Sequence, residues 1–327
     1  LYLKSFSAGS SSITFVLVSD ILTQGNSVVT GQGNGYDIAA VALIFNNPNI
    51  VGGNLTIGGF IFPYIHQNNI GSTPTRGTDP GVPPNAGAAS GIVNLDRLTL
   101  YSGMIDYKTD LWRLVGELDG VWGKLKVDGG GETDIDASNI VFAARAEVYP
   151  GWPLKLVAAE FGWAKGDDLS SGSIEGGLVY FNPAYNLDNL LFKHMIPNIY
   201  QVESSVYNAY NARAWGTVKL IDELSFTPQV LVAFNEETSN PYPGVSSLDT
   251  YMATEVEGTL TWHVHPGVNL DIIGGIVFAG SSLETLLEAQ ALNTLVANDI
   301  TPDRVRYDET PWTVQGRLMI FIDQFFK

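Results

Sequence analysis

Cysteine is absent from all 327 residues. Its absence excludes zinc–thiolate centres, cysteine-ligated iron–sulfur clusters and thiol catalysis. It leaves the compartment open, because a chain of this length can bury a core without disulfide staples. Basic charge is scarce: 17 Lys and Arg stand against 34 Asp and Glu, a net charge of −17. Nucleic-acid binding needs clustered Lys and Arg at the phosphates, so no nucleic-acid partner is expected. Charge of either sign is also scarce, at 16% of residues, against about 25% in ordinary soluble domains. No run approaches the roughly 18 consecutive apolar residues of a membrane-spanning helix. The chain opens directly on Leu1-Tyr2-Leu3-Lys4, which already reads as strand, so a processed or truncated N-terminus is expected.

What the chain does have is glycine, 35 residues, aromatics at 11%, and a period of two along most of its length. Ser12–Asp20 sets Ile13, Phe15 and Leu17 opposite Thr14 and Asp20. Thr109–Lys124 is the clearest case, with Trp112, Leu114, Gly116, Leu118, Gly120 and Trp122 on one side and Arg113, Glu117 and Asp119 on the other. Side chains alternate faces along a strand, so one face is apolar and the other carries the charges. The same division sets Ile140, Phe142, Ala144, Ala146 and Val148 against Arg145 and Glu147. It sets Tyr210, Ala212, Ala214, Gly216 and Val218 against Arg213 and Lys219. Val256, Leu260 and Trp262 oppose Glu255 and Glu257, and Trp312, Val314, Gly316, Leu318, Ile320 and Ile322 oppose Gln315, Arg317 and Asp323.

Connections alternate as regularly as side chains. Short Gly, Pro, Asn and Asp turns fall at Asn46–Gly53, Asp106–Asp110, Tyr149–Pro153, Leu220–Glu223 and His265–Gly267. Long polar loops fall at Gln24–Tyr36, Gln67–Ser90, Val127–Ser138, Lys165–Ser205, Glu236–Asp249 and Ser281–Glu309. The segments between them make about twelve strands, with Leu1–Phe6 as the tail of another. Every long loop then lies on one side and every short turn on the other. That division predicts an all-β fold: one antiparallel transmembrane β-barrel domain over 1–327, with about 12–14 strands in this chain. In a bilayer only helices and closed barrels pair every backbone group, and Trp and Tyr near strand ends suit the interfaces. Two places depart from the pattern. Leu154–Lys165 changes apolar phase, which predicts a bulge near Val157–Ala159. The strands at 37–47 and 53–65 are apolar on both faces, so something apolar is expected over their inner side. One helix is predicted over Ser281–Ala297, inside an outer loop, with Ser281 and Glu284 at capping-box spacing and Leu283, Leu286, Leu287, Ala291, Leu292 and Leu295 at helical spacing.

Several stretches resemble the alginate-export-like family of outer-membrane barrel porins. They are Leu1–Phe6 with the strand ending at Asp20, Tyr36–Phe45, Leu156–Asp168 with its Gly166-Asp167-Asp168 end, Tyr180–Phe192, and Asn211–Phe234. The resemblance is spread over most of the chain, with no catalytic signature. It implies a barrel of about eighteen strands, of which roughly five would precede Leu1. Phe325-Phe326 is similar to the aromatic C-terminal assembly signal of such barrels, and the trailing Lys327 departs from it. The family's lumen is basic and suits an anionic polysaccharide. The inner face expected for this chain is mixed, so the architecture and the channel role carry over and alginate does not.

The candidate pore-lining residues are Arg97, Arg113, Glu117, Asp119, Arg145, Glu147, Arg213, Glu255, Glu257, Asp271 and Arg317. Charged rings in a wet lumen set selectivity, and the same Arg–Glu pairs can equally brace the wall. The expected function is an outer-membrane channel for small or polymeric polar solutes, its lumen narrowed by Lys165–Ser205 or by the helical Ser281–Glu309 loop. The latter carries Arg304 and Arg306 among Asp299, Asp303, Asp308 and Glu309. The alternative is a plugged structural or adhesive barrel acting through its loops. Outer-membrane lipids, small polar solutes, and a homo-oligomer or completing chain are the expected partners. No enzyme activity and no cofactor are expected. Divalent cations could meet the acidic clusters Asp128, Glu132, Asp134 and Asp136, or Asp167-Asp168. His263 and His265 share a strand face beside a Pro-Gly turn and read as solvated, as do His66 and His194. Gly31, Gly33 and Gly35 lack the strand–helix setting of a phosphate loop.

Overall fold

The computed structural model describes residues 2–23, 35–67, 92–128, 133–166, 173, 190–196, 206, 208–239, 245, 247–265, 267–297 and 310–320. Thirteen antiparallel strands form one sheet, each paired with its neighbour in sequence. They are β1 (Tyr2–Ala8), β2 (Ser11–Thr23), β3 (Gly35–Ile50), β4 (Gly53–Gln67), β5 (Ile92–Lys108), β6 (Trp112–Asp128), β7 (Thr133–Val148), β8 (Leu154–Ala164), β9 (Ala209–Ile221), β10 (Leu224–Asn235), β11 (Tyr251–His265), β12 (Val268–Ala279) and β13 (Trp312–Ile320). A wide helical turn at Leu191–Met195 and the helix α1 (Ser281–Ala297) complete the elements. No helix among the described residues is long and apolar enough to cross a membrane. β1 and β13 are the two edges of the ladder, and among the described residues no pairing joins them. Twist between neighbouring strands makes a sheet of more than about ten strands curl, split or flatten.

Burial alternates residue by residue. Along β8, Ala158, Glu160, Gly162 and Ala164 are buried while Val157, Ala159 and Phe161 are exposed. Along β9, Ala209, Asn211 and Arg213 are buried while Tyr210, Ala212 and Ala214 are exposed. The protected face carries the charges. The exposed face carries Leu114, Leu118, Phe161, Val230, Val256, Ile272 and Leu318. This reverses the arrangement of a water-soluble sheet, whose apolar face turns to the core.

Aromatics order the apolar face. Phe142, Trp163, Tyr210, Phe234 and Tyr251 are successive register partners across β7–β11, at the end that carries the long connections. Trp163 and Tyr210 stack with centroids 6.3 Å apart. Trp112 packs on Tyr107 at 4.9 Å and Trp122 on Tyr101 at 5.1 Å. Ten residues at about 3.3 Å rise and about 40° tilt separate the two tryptophans by about 25 Å, the height of a lipid-facing band. Tyr101 also covers Gly120, where a Cβ would overlap its ring.

Short turns gather at one end. Val51 and Gly52, with φ of 50° and 76°, make a two-residue hairpin turn. Thr109 Oγ1 accepts the Trp112 amide at 3.0 Å in the β5–β6 turn. In the β9–β10 turn Lys219 Nζ donates to Asp222 Oδ1 at 2.7 Å. That ammonium holds the fully exposed Asp222 carboxyl below the ordinary carboxylate range.

Three expectations change in detail. β6 runs on to Asp128 and β7 begins at Thr133, so the expected long loop over Val127–Ser138 is a hairpin connected by residues 129–132. Opposite charges extend it, because Lys124 and Lys126 are register partners of Asp136 and Asp134, with Lys124 Nζ 3.7 Å from Asp136. The bulge of β8 lies at Leu154–Leu156 against β9, not at Val157–Ala159. α1 spans the predicted residues, but the Glu284 amide donates to the Gly280 carbonyl at 3.0 Å, making Gly280 the cap instead of Ser281. Gly280 is needed because a Cβ there would overlap Tyr251. Among the described side chains of α1, Leu283 and Leu286 are buried and Leu287 is partly covered. Phe325-Phe326, Asp167-Asp168, Glu132 and the charged residues 299–309 lie outside the described residues.

The apolar core is small and sits at the long-connection end. Leu191, Phe192, Ile196 and Val206 from the β8–β9 connection, with Leu283 and Leu286 of α1, pack against Val141, Ala164, Leu231, Ala233 and Val277 of the protected face. Both segments singled out for narrowing a lumen therefore reach that face.

Candidate functional site

Register places the charges in two adjacent rows across the protected face. In the first row Asp106, Val115, Arg145, Glu160, Arg213, Leu231, Glu255 and Val277 are partners in turn from β5 to β12. The second row, nearer the short turns, runs Lys108, Arg113, Glu147, Ala158, Trp215, Gln229 and Glu257. Directly opposed residues lie about 4.5–5.5 Å apart, so the charged ends of one row reach those of the next.

The result is one chain of ion pairs spanning β5–β9. Arg113 Nε and Nη2 donate to Asp106 Oδ1 and Oδ2 at 2.8 and 2.6 Å, a two-pronged contact. Arg113 Nη1 lies 3.8 Å from Glu147 Oε2. Arg145 Nε lies 3.0 Å from Glu147 Oε1, and Arg145 Nη1 lies 4.0 Å from Glu160 Oε2. Arg213 Nε lies 2.9 Å from Glu160 Oε1, with the guanidinium 4.4 Å from the Trp215 ring centroid. Tyr149 OH donates to Glu147 Oε2. Glu147, Glu160 and Arg213 are all buried. Buried charge is tolerated only when it is paired, and each member of this chain has a partner of opposite sign.

Further acid sites lie off this chain. Arg317 Nη2 donates to Asp271 Oδ2 at 2.7 Å, joining β13 to β12. The buried Glu255 accepts the Leu191 amide at 2.8 Å and so ties the infolded turn to the wall. Glu117 and Asp119 lie on one side of β6, within hydrogen-bonding reach of each other. Among the described residues neither has a basic partner.

Of the predicted residues, Arg113, Arg145, Glu147 and Arg213 come together in the chain of pairs. Asp271 with Arg317, Glu255, Glu257, and Glu117 with Asp119 occupy the same face at other points. Arg97 lies in β5, and its side chain falls outside the described residues. Asp106, Lys108 and Glu160 were missed. Asp106 reads as a turn residue in sequence because the strand's last two residues, Tyr107 and Lys108, look like turn. Glu160 belongs to the segment whose phase is broken by the bulge; counted from Ala164 backward, its parity with Ala158 and Gly162 would have found it. Among the described inward side chains of β5–β13, the acids Asp106, Glu117, Asp119, Glu147, Glu160, Glu255, Glu257 and Asp271 outnumber the bases Lys108, Arg113, Arg145, Arg213, Lys219 and Arg317.

No group of three or more metal-ligating side chains occurs among the described residues. His263 Nδ1 lies 2.8 Å from Asn269 Oδ1, and a register shift separates His263 from His265. Of the acidic cluster, Asp136 is the member whose side chain is described, and it stands against Lys124.

No family model matches the chain, and no curated protein matches it. Solved structures do. A FadL homologue of Pseudomonas aeruginosa is 11% identical, with 83% of this chain and 67% of that one covered at a TM-score of 0.34. OccK3 (OpdO) of Pseudomonas aeruginosa is 12% identical, with 85% and 74% covered at a TM-score of 0.31. The outer-membrane expressed OmpT of Vibrio cholerae is 8% identical, with 97% and 99% covered at a TM-score of 0.28. With TM-scores this low, none of these likenesses carries an argument about this chain, and none bears on the alginate-export-like family.

Proposed function

We propose that this chain is an integral bacterial outer-membrane β-barrel that passes small polar solutes, cations in preference to anions. The observation that carries the reading is the reversed sheet: large apolar side chains exposed along the outward face of its strands, charges on the protected side. Lipid is the solvent that accepts such a face, and a contiguous apolar surface of this breadth marks contact with a membrane or a partner. Water along the charged face supplies the path. Acids outnumber bases along it, which favours cations. The lipid surface is then the principal partner. Closure requires the edges of β1 and β13 to pair with each other, with further strands, or with a second chain.

Single-channel recording of the full chain in planar bilayers tests this. A clean conductance step, with a reversal potential shifted toward the cation in a salt gradient, is the expected result. A silent bilayer removes the channel reading.

One observation favours a second reading. Leu191, Phe192 and Ile196 are buried against the inner face together with α1, which is how a plug would sit. A plugged barrel acting through its loops would be silent, would need detergent for extraction, and would resist SDS until heated.

A further inference from the structure

The two expected roles of the inward charges, bracing and selectivity, separate along β6. Arg113 is engaged by Asp106 and approached by Glu147, while among the described residues Glu117 and Asp119 have only each other as charged neighbours. These two carboxylates border a second unusual surface. Ile44, Gly58, Met104 and Glu117 are register partners in turn across β3–β6, and Ala42, Phe60, Ser102 and Asp119 form the adjacent row. All point inward, yet Ile44, Phe60 and Met104 remain 41%, 36% and 42% exposed. The apolar cover expected over these strands does not come from any described residue. Phe60 and Phe62 stand edge to face at 5.1 Å on the same side of β4. Gly58 leaves a notch beside Met104, since a Cβ there would lie 3.2 Å from Met104 Cγ.

We infer that this inward strip is a binding site for organic ammonium ions with an apolar body. An ammonium group placed at Glu117 and Asp119 supplies the positive charge that no described residue brings to the pair. A hydrocarbon body extending from it covers Ile44, Phe60 and Met104 and removes them from water. The Phe60 and Phe62 rings add attraction for a cation at their faces. A carboxylate of the same shape is repelled, and an inorganic cation leaves the apolar strip bare. The inference names the solute class of the proposed channel and rests on that reading for access to the strip.

Block of the open channel by hexylammonium is the test, with ammonium and hexanoate as controls. Hexylammonium is expected to block at concentrations about ten-fold or more below either control. The pair of substitutions Glu117→Gln and Asp119→Asn is expected to bring hexylammonium to the level of ammonium. Ile44→Ser, on the apolar side, is expected to weaken hexylammonium while leaving the response to ammonium in place. Block that is equal for hexylammonium and hexanoate, or unaltered by the Glu117→Gln and Asp119→Asn pair, overturns the site while the conductance step still stands. If the bilayer is silent, saturation-transfer NMR of hexylammonium on the chain in lipid nanodiscs decides. Binding lost in the paired variant keeps the site without the channel, and binding indifferent to the variant overturns both.

Discussion

Arg213 shows at single-residue scale how charge is kept on the protected face. It is buried, faces Glu160 at 2.9 Å and lies over Trp215. Removing one member of such a pair strands the other, at a cost of about 3–5 kcal/mol. Arg213→Ala is therefore expected to lower the urea midpoint of the protein in liposomes by that equivalent, and Arg213→Met combined with Glu160→Met to restore most of it. An additive loss in the double variant would mean the two are not coupled. Val51 makes the opposite case. It is a fully exposed β-branched residue at φ 50°, a conformation costing about 1–2 kcal/mol outside glycine. Val51→Gly is expected to raise the same midpoint. Much of this scale was legible in sequence, because period-two parity alone assigns Arg113, Arg145, Glu147 and Arg213 to one side. Partners were not legible, because pairing depends on register between strands, and Asp106 and Glu160 sat where a turn and a bulge hid their parity.

Strands, turns and the helix were the most legible elements. Apolar alternation and Gly/Pro/Asn turns need only local chemistry, and α1 spans the residues its spacing implied. The misses are places where tertiary context decides. Residues 133–137 read as loop because they are acidic, yet β7 extends through them against the lysines of β6. Gly280 displaced Ser281 as helix cap because Tyr251 packs on it. The infolded turn could be named in sequence only as a loop, since its seat is made by residues from distant strands. Leu286 is fully buried in that seat. Leu286→Ala is expected to cost about 2–5 kcal/mol and to raise the frequency of conductance fluctuations as the seat loosens. Unaltered fluctuations would place α1 outside the conduction path. We propose that the acidic residues of the β6–β7 hairpin, Asp134 and Asp136 of β7 among them, hold divalent ions that bridge to anionic surface lipids. Chelation is then expected to speed proteolysis there, and an unchanged rate would remove the bridge.

At the scale of the whole molecule, the low charge fraction and the absence of a spanning helix have one cause. Half of each strand faces outward, and over the band between Trp112 and Trp122 that half is free of charge in the described side chains of β5–β13; Lys4 of β1, in the same row as Leu118, is the exception and lies 4.9 Å from the Phe6 ring centroid. Leu118, within that band, should tolerate arginine poorly. Leu118→Arg is expected to cost about 2–4 kcal/mol in a bilayer, whereas the same change on a water-exposed surface is nearly neutral. The central claim is that one face of this sheet meets lipid and the other water. Because the chain has no cysteine, single cysteines placed in turn at positions 114 to 119 of β6 can be read without background. A water-soluble maleimide applied to the protein in liposomes should label 115, 117 and 119 and spare 114, 116 and 118, and a lipid-borne quencher should give the inverse pattern. Labelling without alternation, or with the two sets exchanged, would contradict the account.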